Sequence, residues 1–275
     1  MWNRNKDPLA DVRELIEDFE LPSFSAVAVS TLTLLREEGD MAQIAERIMA
    51  DPGLSVRMLR TVNSAAFGMR QSVSNLQHAV SLLGRSRVES LVLSAAISDA
   101  LPPPTAIDGR AFWHTSAKRA CLAKGIATQV DPTHSVESFT AGLLQDMAVP
   151  VLVEKHPDRY PALFAEATAN PSWTLEELER DAFGYDHAQV GAAIASSWAL
   201  PETLVTAIGA HHADGQGAPR AVEAVARVRH GAADEELLAL RGHCRDVLAI
   251  SDMALGNIIQ SATEECSSLA ESMAA

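Results

Sequence analysis

The chain has 275 residues, of which 47% are hydrophobic and 21% are charged. This composition is typical of a folded globular protein and is too apolar for a disordered one. The formal net charge of -14 opposes the phosphate backbone of nucleic acid, and only 5% of the residues are aromatic, which leaves few side chains for base stacking. We therefore expect no direct nucleic-acid binding.

The N-terminal residues MWNRNKDPLA lack the apolar core of a signal peptide. No apolar run reaches the roughly 18 to 20 residues that cross a bilayer. The three cysteines, Cys121, Cys244 and Cys266, lie far apart and form no CxxC pair or zinc-type spacing. These features predict reduced, packed thiols, no membrane insertion and a cytoplasmic location.

Helix-start signals recur along the chain. Asp51 followed by Pro52 predicts an N-cap with proline at the first helical position, and Gly68 is placed to end that helix. A capping box, in which Ser or Thr precedes Glu or Gln by three residues, predicts three more starts. These pairs are Ser74 with Gln77, Ser86 with Glu89, and Thr174 with Glu177.

Between these signals the apolar residues keep helical spacing, as at Ile44, Ala45 and Ile48, whereas strand-type alternation is scarce. A helix over residues 186–198 would bury one apolar stripe, and Pro201 opens another helix through Ile208. We therefore predict an all-α protein.

The segment LPPPTAIDGR, residues 101–110, carries three consecutive prolines and a glycine and stops one helical run before the next begins near Phe112. It predicts two helical lobes, over residues 1–105 and 106–275. A second loop is expected at residues 213–219, followed by a helix-rich closing segment from about Asp234.

Six residues of the second lobe are candidate metal ligands because they stand on or at the ends of predicted helices. Imidazole and carboxylate groups of this kind suit zinc, iron or manganese. Spacing alone is a weak signal, because the six residues spread over about 140 positions. They are His114, Asp146, His187, His211, His212 and Asp252.

Several segments, in a consistent order over residues 18–215, resemble an HDOD domain, a branch of the HD superfamily. They are LPSFSAVAV, DPGLSVRMLRTVNSAAFG, VSNLQHAVSLLG, FWHTSAKRA, AGLLQDM, FGYDHAQVGAAIASSWALP and AIGAHH. The resemblance implies an all-α fold in which an N-terminal helical bundle packs on an HD-like helical lobe with C-terminal helices.

The related HD phosphohydrolases hold metal with a His, a His-Asp pair and a later Asp. By motif, the resemblance makes His114 the first histidine, Asp146 the aspartate of the pair and Asp252 the closing aspartate. His187, His211 and His212 are similar to the histidines that the cyclic-dinucleotide branch adds.

The sequence departs from this pattern at its centre, where Gln145 replaces the paired histidine and Val149 replaces a lysine that contacts phosphate. A carboxamide is a poorer ligand than imidazole for a borderline transition metal, and valine cannot donate to phosphate. We therefore predict no enzymatic activity, no catalytic residues and no cofactor.

Four of the six candidate ligands also have a structural interpretation. Asp146 could cap or pair with a neighbouring helix, His187 could face a helix start, and His211 or His212 could face a helix end. The remaining histidines match no ligand position and are predicted to be surface or structural residues. They are His78, His134, His156, His230 and His243.

The resemblance thus favours a non-catalytic signalling or regulatory module that meets a protein partner in trans, linked to bacterial cyclic-dinucleotide signalling. A homodimer through an exposed apolar helix face stays open. One alternative is a metal-dependent phosphohydrolase with a rearranged site holding Fe, Mn or Zn. Another is a site that binds metal or nucleotide without turnover.

Overall fold

The structure is a computed structural model that describes residues 12, 24–63, 72–101, 105–170, 172–213, 215, 217–230 and 236–273. Within these ranges every regular element is a helix and none is a strand, which confirms the all-α prediction. Gly68, the NSAAFG residues after Asn63 and the three consecutive prolines lie outside the described residues.

Within the described residues, five complete helices precede the proline-rich segment. They are α1 (Ala26–Arg36), α2 (Met41–Met49), α3 (Pro52–Val62), α4 (Leu76–Leu83) and α5 (Arg85–Ala100). The long helix α6 follows it, so the predicted interruption between two helical runs is confirmed.

The second half contains ten helices within the described residues. They are α6 (Gly109–Val130), α7 (Ser135–Leu144), α8 (Ala148–Lys155), α9 (Tyr160–Ala169), α10 (Leu175–Phe183), α11 (His187–Ser197), α12 (Glu202–Gly209), α13 (Arg220–Val225), α14 (Glu236–Asp246) and α15 (Asp252–Met273). A single 3-10 turn, Pro132–His134, joins α6 to α7.

Two of the predicted helix starts are confirmed by their caps. The Asp51 carboxylate accepts from the Leu54 amide at 3.0 Å, and Thr174 forms the predicted capping box at the start of α10. Two others are wrong by a short shift. Asn75 rather than Ser74 caps α4, and α5 begins at Arg85 behind Gly84, with no side-chain cap.

Two hydrophobic cores hold the helices together. The larger core includes buried residues of α1 to α5 and also of α6, α8 and α11, so it is continuous across the predicted lobe boundary. The smaller core joins α6 to the C-terminal helices α14 and α15 and contains all three cysteines, which are free thiols. The division at residue 105 stays a prediction.

Two glycines allow helices to approach closely around the centre of the second lobe. A Cβ on Gly142 of α7 would lie 3.1 Å from the Arg119 carbonyl oxygen of α6. A Cβ on Gly191 of α11 would lie 2.9 Å from the Ile208 side chain of α12. The residues at the ends of these helices are thereby brought together.

Among the described residues, one stretch, Pro132–Lys155, is long and apolar enough by composition to span a membrane. Within its apolar 18-residue window, 83% is buried in the protein. The turn at residues 145–147 interrupts the stretch. A buried core helix passes the same test of length and composition. The cytoplasmic location stays a prediction.

Candidate metal centre

Four of the six predicted ligands lie together where helix ends meet. Asp146 lies in the turn between α7 and α8, and His187 is the first residue of α11. His211 and His212 follow the end of α12. One ligand atom from each of these residues lies within 4.8 Å of the others. We call these four residues the His-Asp cluster.

The Nε2 atoms of the three histidines face one another. His187 Nε2 lies 3.0 Å from His212 Nε2 and 3.3 Å from His211 Nε2. Asp146 Oδ1 lies 3.4 Å from His211 Nε2 and 3.6 Å from His187 Nε2. Two nitrogens bound to one tetrahedral zinc ion at about 2.1 Å would be roughly 3.4 Å apart. The spacing of the cluster therefore fits a single ion.

The Nδ1 atoms of the same histidines face away from the cluster toward oxygen acceptors. His187 Nδ1 donates to Glu179 Oε2 at 2.6 Å, and His211 Nδ1 donates to the Ile208 carbonyl at 2.6 Å. His212 Nδ1 lies 3.6 Å from a Glu176 oxygen. An acceptor at Nδ1 fixes the tautomer that leaves Nε2 free to bind a metal.

Local sequence explains why His187 is held so firmly. Asp186 and Gln189 form a capping box at the start of α11. The backbone amide of His187 donates to Glu179 at 2.8 Å. Glu179 is fully buried and also accepts from the Tyr160 hydroxyl. The expected capping role therefore belongs to Asp186, and the His187 ring is directed into the cluster.

Asp146 uses its two oxygens differently. Oδ2 accepts from the Arg119 guanidinium and lies 2.5 Å from His230 Nε2. Oδ1 is buried and has no hydrogen-bond partner among the described residues. An ionised oxygen without a partner is costly in the interior, and a cation shared with the histidines would satisfy it.

The electrostatics of the cluster follow from burial and these partners. Burial by itself would raise the pKa of the Asp146 carboxyl, but Arg119 and the neighbouring histidines hold it well below its usual range. Burial opposes the charged form of His187, but the charge and hydrogen bond of Glu179, together with the charges of Asp146 and Asp186, outweigh burial and raise the pKa of His187 to about 9. Burial, then His211 and His187, lower the pKa of His212. A proton on His187 Nε2 would compete with a metal ion there.

Two predicted ligands lie outside the cluster. His114 is exposed on α6, where its Nε2 lies 3.8 Å from Cys266 Sγ of α15. Asp252 is exposed in the first turn of α15. The structure therefore does not bring His114, the predicted first histidine ligand, or Asp252, the predicted closing aspartate, to the cluster.

The helix α6 contributes Arg119 in place of His114. The two residues are five positions apart, which turns the side chain by about 140° around the helix. Arg119 is 3% exposed, and its Nε donates to the Val228 carbonyl at 2.7 Å. A cation from α6 therefore pairs with Asp146 where the resemblance placed an imidazole ligand.

His230 was predicted to be surface or structural, yet it is buried and contacts Asp146. Its ring stacks on Phe112 with centroids 4.9 Å apart. Burial and then Arg119 lower its pKa to about 4, so the ring is neutral at pH 7 and Nε2 donates to Asp146. It belongs to a loop with no helical periodicity, so the sequence pattern gave no signal for it.

Gln145 and Val149 are both buried. The two polar side-chain atoms of Gln145 have no partner among the described residues. A buried amide of this kind costs about 1 to 3 kcal/mol. Neither residue lines the cavity of about 290 Å³ that opens over the cluster. Arg227, Arg229 and Glu176 are among the charged residues that line it.

The fold and the site together define an all-α protein in which helix ends gather three histidines and an aspartate. The sequence model of the HDOD domain matches residues 21–214. The chain therefore belongs to the HDOD family, which confirms the resemblance.

Solved structures share this fold. An HDOD domain protein with unknown function from Geobacter sulfurreducens is 22% identical, with a TM-score of 0.72 over 96% of this chain and 98% of that chain. A protein from Shewanella amazonensis SB2B, described as a candidate phosphohydrolase, is 23% identical, with a TM-score of 0.73 and the same coverage of both chains. At these identities the likeness concerns the fold alone.

A curated relative, an uncharacterized protein from Treponema pallidum (strain Nichols), is 28% identical over 175 residues. The match covers 62% of this chain and 33% of the relative. The chain thus spans about a third of the length of the curated relative that it matches.

Proposed function

We propose that this chain is an HDOD regulatory module that holds one transition-metal ion in the His-Asp cluster and does not hydrolyse phosphodiesters. The observation that carries the proposal is the difference between the two Asp146 oxygens. Oδ1 faces three imidazole nitrogens, whereas Oδ2 is occupied by Arg119 and His230. Such a carboxylate offers one oxygen to a metal ion and therefore supports a mononuclear site.

The donor set of the cluster fits zinc, iron or manganese. It provides three imidazole nitrogens and one carboxylate oxygen, which are common ligands for these ions. A bound ion would supply Lewis acidity and a more acidic bound water. The chain itself supplies Glu179 and the Ile208 carbonyl, which orient His187 and His211.

Three features of the chain argue against hydrolysis. Gln145 supplies no imidazole, Val149 is buried and supplies no cation, and His114 is outside the cluster. Losing even a residue that only supports a metal ligand costs about 10- to 100-fold in affinity or activity. We therefore propose that the module acts through contacts with a signalling protein, in a system linked to cyclic dinucleotides.

The experiment measures metal by mass spectrometry in protein purified without chelators, and again after reconstitution with Zn²⁺, Mn²⁺ or Fe²⁺ followed by dialysis. We expect close to one ion per chain. His212→Gln should lower the bound metal at least about tenfold, because it removes one imidazole from the cluster. His78→Gln, on the exposed face of α4, is the matched control and should leave it unchanged.

An absence of metal after reconstitution would contradict the metal-binding part of the proposal. His187 would then hold its proton and donate to His212, and the cluster would be a structural remnant. Two ions per chain would contradict the mononuclear site. Turnover of cyclic dinucleotides or of a chromogenic phosphodiester by the loaded protein, lost in His212→Gln, would contradict the regulatory proposal.

The second candidate is a metal-dependent phosphohydrolase with a rearranged site. It is favoured by the cavity over the cluster, where Arg227 and Arg229 could face an anionic substrate. Gln145→His distinguishes the two candidates further. If only the missing imidazole prevents turnover, this substitution should raise both metal affinity and hydrolysis.

A further inference from the structure

The helix α10 contributes no ligand to the His-Asp cluster, but it lies against two of the cluster histidines. Among its nine residues, Glu179 is the only one that is buried. Leu175 and Phe183, one at each end of the helix, pack only partly against the larger core. A carboxylate is an unusual anchor for a helix, because a buried charge is costly unless it is paired or hydrogen-bonded. The way in which α10 is held on the protein therefore depends on the partners of Glu179.

Glu179 takes its partners from the helices before and after α10. Its Oε1 accepts from the Tyr160 hydroxyl of α9. Its Oε2 accepts from the backbone amide of His187 at 2.8 Å and from His187 Nδ1 at 2.6 Å. Two of these three hydrogen bonds come from a cluster histidine. The docking of α10, by which we mean its packing against α9 and α11, is therefore tied to the His187 ring.

Glu176 extends the same arrangement to a second cluster histidine. It precedes Glu179 by three residues, so the two carboxylates lie on the same face of α10. Glu176 Oε1 lies 3.6 Å from His212 Nδ1, which is longer than a hydrogen bond. His187 begins α11, whereas His212 follows α12. One helix thus faces the outer nitrogens of two histidines that come from different segments.

The inner nitrogens of these histidines are crowded in metal-free protein. His187 Nε2 lies 3.0 Å from His212 Nε2 and 3.3 Å from His211 Nε2. A single proton on His187 Nε2 cannot point at both neighbours, whereas an ion accepts a lone pair from each imidazole. Binding of an ion therefore fixes the orientation of the rings, and with it the outer nitrogens that face α10.

We propose that Glu176 and Glu179 are positioning residues through which metal binding and the docking of α10 are coupled. The coupling requires a bound ion and so rests on the function proposed above. Loss of a group that orients a metal ligand typically costs about 10- to 100-fold in affinity. Linkage is reciprocal, so a saturating ion should lower the undocked fraction of α10 by the same factor. Because Glu177, Arg180 and Asp181 are exposed on this helix, the change in docking reaches the protein surface.

The first experiment is hydrogen–deuterium exchange with mass spectrometry on the full chain, in the presence of chelator and of saturating Zn²⁺. Amides of α10 that exchange by local opening should slow by at least about tenfold when zinc is bound. The helix α2 is the internal reference, because none of its residues lines the cavity over the cluster. Its exchange should change by less than about twofold.

Variants of α10 measure the coupling from the metal side, with zinc affinity determined by competition against a chromogenic chelator. Glu179→Gln should weaken zinc binding by at least about tenfold, because it removes the charge that holds His187. Glu176→Gln should cause a smaller loss, since its contact with His212 is longer. Glu177→Gln is the matched control, because this residue is exposed and glutamine still completes the capping box with Thr174. It should leave zinc affinity within about twofold of the unsubstituted protein.

A spectroscopic measurement separates positioning from a purely structural role. In Co²⁺-loaded protein, Glu179→Gln should shift the visible absorption bands of the ion, because the basicity and orientation of the His187 ligand change. Glu177→Gln should leave the bands in place. A loss of stability alone would lower the amount of folded protein without shifting the bands.

The outcomes distinguish the coupling from the metal site itself. Zinc binding without slower exchange in α10 would overturn the coupling and leave the proposed metal site intact. Equal zinc affinity in Glu179→Gln and Glu177→Gln would overturn the positioning role. A lack of zinc binding by the unsubstituted protein would overturn the proposed function and the coupling with it. Circular dichroism checks that each variant is folded, and the exchange experiment needs no variant, so it decides the question even if Glu179→Gln does not fold.

Discussion

Arg119 pairs with the carboxylate of Asp146 in the interior, and its removal should be among the most destabilising single changes in the second lobe. Arg119→Met keeps much of the aliphatic stem and removes the charge. Arg119 is 3% exposed and Asp146 is 2% exposed, so water cannot replace the lost partner. Breaking a buried pair from one side costs about 3 to 5 kcal/mol in the free energy of unfolding.

The contacts of Arg119 give a similar magnitude. The substitution removes its charged bond to Asp146 Oδ2 and its Nε bond to the Val228 carbonyl. Hydrogen bonds that involve a charged group contribute about 1.5 to 3 kcal/mol each. Two of them therefore account for roughly 3 to 6 kcal/mol, in agreement with the estimate from the ion pair.

The measurement is urea denaturation of metal-free protein, followed by circular dichroism at 222 nm. Arg57→Met is the matched control, because Arg57 pairs with Asp99 at 2.7 Å and that carboxylate is 62% exposed. An exposed pair contributes about 0 to 1 kcal/mol. If Arg119→Met cost no more than Arg57→Met, the assignment of Arg119 as the buried counter-ion would be refuted.

Three further predictions concern other parts of the molecule. Gly142→Ala should lower the free energy of unfolding by about 1 to 3 kcal/mol in the same urea assay, because the added Cβ would meet the backbone of α6. Gly256→Ala is the control, because nothing lies within 4 Å of the added Cβ, and it should raise the free energy of unfolding by about 0.5 to 1 kcal/mol. The three cysteines are buried, so they should react with a disulfide reagent only after unfolding. At Cys244, burial also raises the pKa of the thiol to about 11, which disfavours the reactive thiolate. Fast reaction of the folded protein would contradict this prediction. The hydrogen bond that His134 Nδ1 donates to Asp131 should raise the pKa of His134 above 6.5. NMR titration should therefore show a return toward 6.5 in Asp131→Asn, and an unchanged value would exclude Asp131 as the cause.

The sequence predicts the helices better than their first residues. Thr174 caps α10 as predicted, because Glu177 completes the box and no competing capper stands beside it. At α4 the pattern of Ser74 with Gln77 competes with Asn75, which is an equally good cap one residue later. Packing then decides, since a start at Leu76 buries Leu76, Ala79, Val80 and Leu83 on one stripe.

The sequence predicts the cluster residues that belong to recognisable motifs. It does not predict the residues whose position depends only on packing. His187 begins α11, and His211 and His212 follow the end of α12, at helix boundaries that the sequence marks, so their convergence follows from the fold. The helix α6 gives no such guide, because it buries residues on most of its circumference and shows no clean apolar stripe. The rotation of α6 about its own axis, which directs Arg119 inward and His114 outward, therefore depends on contacts with α7 and α15.

The position of Arg119 gives a physical reason for a charged residue, Asp146, at the centre of a lobe in which the preceding residue is Gln145. A buried carboxylate needs a cation, and Arg119 supplies one whether or not a metal ion is bound. The fold can therefore hold an ionised Asp146 without a metal ion. An ion bound at Oδ1 would add positive charge beside a carboxylate that Arg119 already neutralises. Arg119→Met should make stability depend on metal, because the ion would then be the only cation beside Asp146. At zinc concentrations about 100-fold above the dissociation constant, the ion itself contributes about 2.7 kcal/mol to the unsubstituted protein. A larger stabilisation by zinc in Arg119→Met would support this division of roles, and an equal or smaller one would contradict it.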